Sequence, residues 1–166
     1  MKKILIIILI ILAIVGVYFL KNRPVGSAPQ TAGMEAMEYT VWSDGILSSE
    51  LPLLLDFGSA QCPPCNAMKE DLVAFYEETY GKVRVLYADI WKDPSLTGGL
   101  PAQVVPTQYF FLPGGKPYQP GEEISKKILF MQYMYSDSGE HALTGHQGML
   151  TKEEMYEIFR DMGVDV

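Results

Sequence analysis

Cysteine is scarce in this chain, with only Cys62 and Cys65 among 166 residues. One pair can close at most one short loop, so a disulfide-rich scaffold is excluded. Histidine is as scarce: His141 and His146 stand alone, separated from Cys65 by 75 intervening residues, a spacing that spoils the zinc-finger pattern. Positive charge is thin as well. Lys2, Lys3, Lys21 and Arg23 account for four of the 13 basic residues, and the rest of the chain sets nine basic against 20 acidic residues, a net charge of −11. Nucleic-acid backbones and anionic lipid headgroups repel such a domain, which argues against DNA, RNA or peripheral membrane binding and favours protein partners. No internal repeat is present, and the nine methionines form no Met-x-x-Met array of the kind that ligates copper.

What the chain does have is one long apolar run. Ile4 to Leu20 is 17 residues without a charge, and as a helix it would extend about 25 Å, just enough to cross a bilayer. A cleavable signal peptide is the rival reading, since Lys2 and Lys3 precede the run and Gly26, Ser27 and Ala28 follow it. The run exceeds a usual signal core, and Lys21 and Arg23 separate it from any cleavage site, so residues 1–23 read as a signal anchor. Either outcome puts the remaining chain on the extracytoplasmic side, with cell-membrane attachment if the segment is retained and secretion if it is cleaved. No cysteine stands just after the run, so lipid modification is not expected.

Residues 24–37 are rich in Pro, Gly, Ala and Gln without apolar periodicity, the pattern of a flexible linker. A single domain follows over 38–166, and a hydrophobic content of 48% is enough to build its core. Within it, Tyr39 to Trp42 suggests a short first strand, and Pro52 to Gly58 reads as a strand buried on both faces. Met68, Leu72, Phe75, Tyr76 and Tyr80 recur at helical spacing over 63–80. Val83, Val85 and Tyr87 then alternate on one face of a second strand, which completes a βαβ unit. Further strands are expected over Thr107 to Leu112, and in a hairpin of Ile128 to Tyr135 with His141 to His146. Thr151 and Glu154 form a capping box ahead of a stripe of Met155, Ile158, Phe159 and Met162. This order predicts an α/β domain, a mixed central sheet with helices on both faces.

The chemistry concentrates at Cys62-Pro63-Pro64-Cys65, where a buried strand hands over to a helix. Unpaired N–H groups and the helix dipole favour a thiolate on the first sulfur, so Cys62 reads as the nucleophile and Cys65, one turn in, as the more shielded resolving thiol. Pro63 and Pro64 occupy the first turn, where a missing N–H costs little, and they stiffen the loop.

Asp56 lies six residues before Cys62 inside the apolar strand, and Val105-Pro106-Thr107 precedes the next strand. With Gly145-His146-Gln147-Gly148 ahead of the capped helix, these features resemble the thioredoxin family over most of the domain. The resemblance implies a thioredoxin-like fold and thiol:disulfide oxidoreductase activity. It implies that Asp56 is a buried acid with raised pKa that accepts a proton, through water, from Cys65, and that Pro106 is cis beside the sulfurs. It further implies that the Val105 backbone pairs with an extended substrate segment, so that Val105, Pro106, Pro63 and Pro64 make up the substrate-binding surface. By the same likeness, electrons pass from a transmembrane thiol carrier to disulfides of exported proteins. No cofactor and no metal is required, and a monomer is expected.

The chain also departs from that family. Gln61 stands where a tryptophan usually precedes the first cysteine, the central dipeptide is Pro-Pro, and an insertion around 113–135 adds roughly twenty residues between Phe111 and His141. Its Gly114 to Ser125 stretch would form a lip near the site or lengthen a hairpin. Trp42 and Trp91 read as packing residues. Other readings remain open: a disulfide-forming oxidase, a non-catalytic binding module whose disulfide is a static staple, and a metal-binding module that joins the cysteines to His141 and His146.

Overall fold

The computed structural model describes residues 2–21 and 33–166. The linker expected over 24–37 therefore lies, as far as residue 32, outside the described residues. Helix α1 (Lys2–Lys21) comes first. Ile6, Ile8, Leu12, Ile14 and Val17 on it are all exposed. Among the described residues, no helix is long and apolar enough to cross a membrane.

The domain is built on strands β1 (Leu53–Gly58), β2 (Arg84–Asp89), β3 (Thr107–Leu112), β4 (Lys116–Pro117), β5 (Met131–Met134) and β6 (His141–Gln147). They form one mixed sheet in the order β2-β1-β3-β6-β5, with β4 paired to β3. β1 and β2 run parallel across helix α2 (Pro63–Glu78), as a βαβ unit requires, and β3 lies antiparallel to β1. Helix α3 (Glu122–Ser125) is one turn, and α4 (Lys152–Asp161) closes the chain with the expected reciprocal capping box of Thr151 and Glu154. The capping box is a stabilising element of about 1 kcal/mol.

Period-two alternation sorts the strand residues between two cores. Leu54, Val85, Tyr87 and Phe110 meet Met68, Leu72 and Phe75 of α2 and Ile158 and Phe159 of α4 on one face. Leu53, Leu55, Phe57, Tyr109 and Phe111 occupy the other face, beneath Ile46 and Leu96. The expected helices on both faces are thus corrected. Both long helices lie on one side, and the other is closed by 3-10 turns at Asp44–Ile46 and Pro94–Thr97 with their flanking loops. The segment between β2 and β3 is interrupted by Pro94, Gly98, Gly99 and Pro101, helix breakers that stop its helix after one 3-10 turn.

The strand expected at Tyr39 to Trp42 is also absent: one bridge joins Glu38 to Tyr87, and Tyr39 N–H donates to Tyr87 O at 3.1 Å. Trp42 instead packs over Gly98, whose φ of +58° and lack of a Cβ admit the indole. The packed core reaches back to Met34 and to fully buried Met37.

The inserted segment does not form a lip at the sulfurs. β4 pairs with Phe111 and Leu112, at the end of β3 opposite to Pro106, and Tyr118, Ile124 and Ile128 join the core beneath α4. The Tyr118 hydroxyl donates to Asp161 Oδ2 at 2.6 Å, tying the insertion to that helix. Its apolar side chains enlarge the core rather than the active end.

Candidate active site

β1 ends at Gly58, and the chain turns through Ser59 to Gln61 into α2. Ser59 is buried and its hydroxyl accepts from Gln61 N–H at 3.2 Å, while Cys62 N–H donates to Ser59 O at 3.1 Å. Asp89, at the end of β2, anchors the same turn by accepting from Ala60 N–H at 2.9 Å and from Lys92 N–H at 3.0 Å. Burial works against the charge on Asp89, yet these N–H bonds, with that of Trp91 and the Ser59 hydroxyl, outweigh it and hold the carboxyl below its ordinary range.

Cys62 is the N-cap residue of α2, and its Sγ accepts from Cys65 N–H at 3.2 Å. The unpaired amides of a helix start favour negative charge at that sulfur. The two cysteines are joined as a disulfide, with Cα atoms 5.3 Å apart. Pro63 and Pro64 are exposed in the first turn.

Both cysteines are buried, and Cys65 is not the more shielded of the two. Cys62 is 2% exposed and Cys65 8%. The reason is tertiary: Cys62 Sγ lies 3.6 Å from Val105 O, beneath the turn that precedes β3, whereas Cys65 borders a cavity of about 290 Å³ lined also by Asn66, Lys69, Tyr87 and Asp89. Gly58 permits this crowding, since a Cβ there would come within 2.7 Å of the Tyr87 ring and 3.6 Å of Cys65 Sγ.

The Val105–Pro106 peptide is cis, as the resemblance implies. Thr107 Oγ1 donates to Val104 O at 2.7 Å and Gly148 N–H to Pro106 O at 3.0 Å, fixing the turn against β6. Pro106 is buried and Val105 half-buried, with Val104 exposed beside them.

Asp56 shares the face of Leu54 and lies under α2, 1% exposed. Burial pushes its carboxyl up to about 7, against the opposing effect of a hydrogen bond from Gln108. That bond, from Gln108 Nε2 to Asp56 Oδ1, is 2.9 Å long. Sheet register explains it: Asp56 is flanked by Tyr87 on β2 and by Gln108 on β3, a polar row across an otherwise apolar face. Burial also raises the Tyr87 phenol, so it stays protonated. The sequence pattern marks Tyr87 only as a strand residue and gives Gln108 and Asp89 no role. The available signal was a Gln in the apolar strand TQYFFL, two residues beyond Pro106.

Trp91, expected to pack, is 57% exposed. His141 and His146 bind within their own surroundings, Nε2 of the first 2.8 Å from Thr144 Oγ1 and Nδ1 of the second 2.9 Å from Leu129 O. No metal-holding group of acidic, His and Cys side chains occurs among the described residues.

The thioredoxin family profile matches residues 34–134. The chain belongs to the thioredoxin family. It is 31% identical to a thioredoxin of Alicyclobacillus acidocaldarius subsp. acidocaldarius over 88 residues, which cover 49% of this chain and 83% of the relative. With the thioredoxin of Rickettsia felis (strain ATCC VR-1525 / URRWXCal2) it shares 32% identity over 69 residues, or 42% of this chain and 66% of the relative. The crystal structure of chloroplastic thioredoxin z overlays with a TM-score of 0.49 at 21% identity, covering 72% of this chain and 85% of that one. As a thioredoxin-like thiol:disulfide oxidoreductase, the protein has a single redox pair available to it, Cys62 and Cys65, and protein disulfides are the substrates on which such enzymes act.

Proposed function

We propose that this thioredoxin-like protein is a membrane-tethered reductase of disulfides in exported proteins, with its domain on the extracytoplasmic side. The observation that carries the redox role is the Cys62–Cys65 disulfide at the start of α2, set against the cis Val105–Pro106 turn. The tether rests on the sequence, the uncharged apolar run of Ile4 to Leu20 between Lys3 and Lys21.

In the reduced enzyme the Cys62 thiolate attacks one sulfur of a substrate disulfide. A Cys62–substrate bond forms, the substrate S–S bond breaks, and its other sulfur leaves as a thiolate. The Val105 backbone and the exposed Pro63 and Pro64 face the extended substrate segment, so main-chain bonding gives affinity without a demand for sequence. Asp56 accepts the proton of Cys65 through water. The resulting thiolate attacks Cys62 Sγ, which closes the internal disulfide and frees the second substrate thiol. A transmembrane thiol carrier restores the dithiol, and the enzyme acts as a monomer without a cofactor.

Two measurements test this reading. In a glutathione or dithiothreitol titration of the full-length protein, a reductase is expected to show a reduction potential of about −270 mV, whereas a value of about −120 mV would make it a disulfide-forming oxidase. In cells, the protein is expected in the membrane fraction, with the domain open to protease from the extracytoplasmic side. Recovery in the soluble cytoplasmic fraction would overturn the tether while leaving the redox chemistry intact.

A further inference from the structure

Gln108 is fully buried and makes its contacts in one direction. Nε2 donates to Asp56 Oδ1 at 2.9 Å and lies 3.7 Å from Met68 Sδ, while Oε1 is buried with no hydrogen-bond partner among the described residues. A buried acceptor without a partner is costly, and when one persists it calls for a compensating role. Turning the amide over would place Oε1 against the Asp56 carboxylate, two acceptors facing each other. The orientation present is the one that supports negative charge on Asp56.

Met68 holds that orientation from a second direction. Its Sδ also accepts from Leu150 N–H at 3.2 Å, so the sulfur is the shared acceptor between the amide and the segment leading into α4. Met68 lies one helical turn beyond Cys65 on α2, and Gln108 lies two residues beyond Pro106 on β3. The amide therefore spans the acid on β1, the cysteine helix and the strand that follows the cis-proline turn.

We propose that Gln108 is a positioning residue for the redox reaction, a buried amide clamped by Met68 that keeps Asp56 ionised so that it can take the Cys65 proton. The inference rests on the role given to Asp56 above. Gln108 hydrogen-bonds to neither cysteine and acts through the carboxylate alone. The hydrogen bond to Gln108 opposes the upward push of burial on Asp56, which agrees in direction.

The test uses the full-length protein and the pH profile of mixed-disulfide resolution, alongside a carbon NMR titration of the Asp56 carboxyl in the reduced form. Q108M keeps much of the volume and removes the amide. Its Asp56 midpoint is expected to rise by about one to two pH units, the loss of one hydrogen bond to a charged group, with the rate profile following. Q108L is the second variant should Q108M fold poorly; it also removes the amide without adding a charge, and the same rise is expected. D56N is the control. If D56N abolishes the titration step while Q108M and Q108L leave its midpoint in place, Gln108 has no positioning role and the inference falls alone. If D56N leaves the rate profile unchanged, the role of Asp56 falls and that of Gln108 with it.

Discussion

Replacing Cys62 with serine is expected to abolish turnover on a disulfide-containing protein, by about 10³-fold or more, because the enzyme loses the sulfur that forms the mixed disulfide. Cys65→Ser is expected to behave differently. Cys62 still attacks, but no internal thiol is left to resolve the product, so protein substrates accumulate on Cys62 as covalent species that a reducing agent releases. The α2 N-terminus explains the asymmetry: Cys62 Sγ is the sulfur that accepts the Cys65 N–H, and the helix dipole acts on it first. The checks are a protein-disulfide reduction assay and non-reducing electrophoresis of cell extracts. Turnover retained by Cys62→Ser would reduce the disulfide to a staple, and trapping on Cys65 in place of Cys62 would exchange the two roles. The second outcome has a structural basis to be tested against, since Cys65 is the sulfur that borders the cavity.

Asp56→Asn is expected to make the protein more stable and less active. The folded carboxyl titrates at about 7, above its ordinary value of 3.8, so the folded state binds an extra proton between those limits. Its contribution is fully present below about pH 4 and is lost as pH rises through the folded value. The loss is about 1.4 kcal/mol per pH unit across the window, near 4 kcal/mol in total as an upper bound. Asparagine carries no such charge and can still accept from Gln108 through its amide oxygen. At pH 8 the variant is therefore expected to unfold at higher urea than the parent, and at pH 4 the advantage should vanish. Resolution of mixed disulfides should slow by about 10²-fold near neutral pH, the ordinary worth of a general base. Parallel pH dependences of stability in the two proteins would show that Asp56 is not the buried titrating group.

Together the two predictions separate chemistry from support. Under the proposed mechanism the cysteines hold the bond that is made and broken, and Asp56, raised to about 7 by burial, gives up fold stability at neutral pH to serve as proton acceptor. Tyr87, Asp89 and Gln108 hold the surroundings: a protonated phenol beside Cys65, a carboxylate fastening the Ala60 turn, and an amide against Asp56.

Several of these features were legible in the sequence for local physical reasons. A C-x-x-C pair between an apolar strand and a helical stripe can only place its first sulfur near a helix N-terminus, and there Cys62 stands as the N-cap. The capping box and the β3 limits followed from side-chain pattern and turn residues alone. So did the βαβ unit, because buried period-two strands flanking a 3.6-residue stripe admit one handed connection.

Other features depended on contacts between residues far apart in the chain. Nothing local reveals that Gln108 stands beside Asp56, because that pairing is set by the register of β1 against β3. The cover over Cys62 Sγ comes from the Val105 carbonyl, 43 residues away in the chain. Likewise the failed strand at Tyr39 to Trp42 had suitable residues but found only one backbone partner, at Tyr87. By itself the sequence determined the C-x-x-C pair and the order of the main elements, because those are written in spacing and periodicity, while the buried acid was implied by the resemblance to the thioredoxin family. Only the tertiary structure decided what surrounds them: which face carries the helices, which sulfur meets the cavity, and which amide holds the acid. Burial and hydrogen bonding depend on neighbours that the linear order does not name.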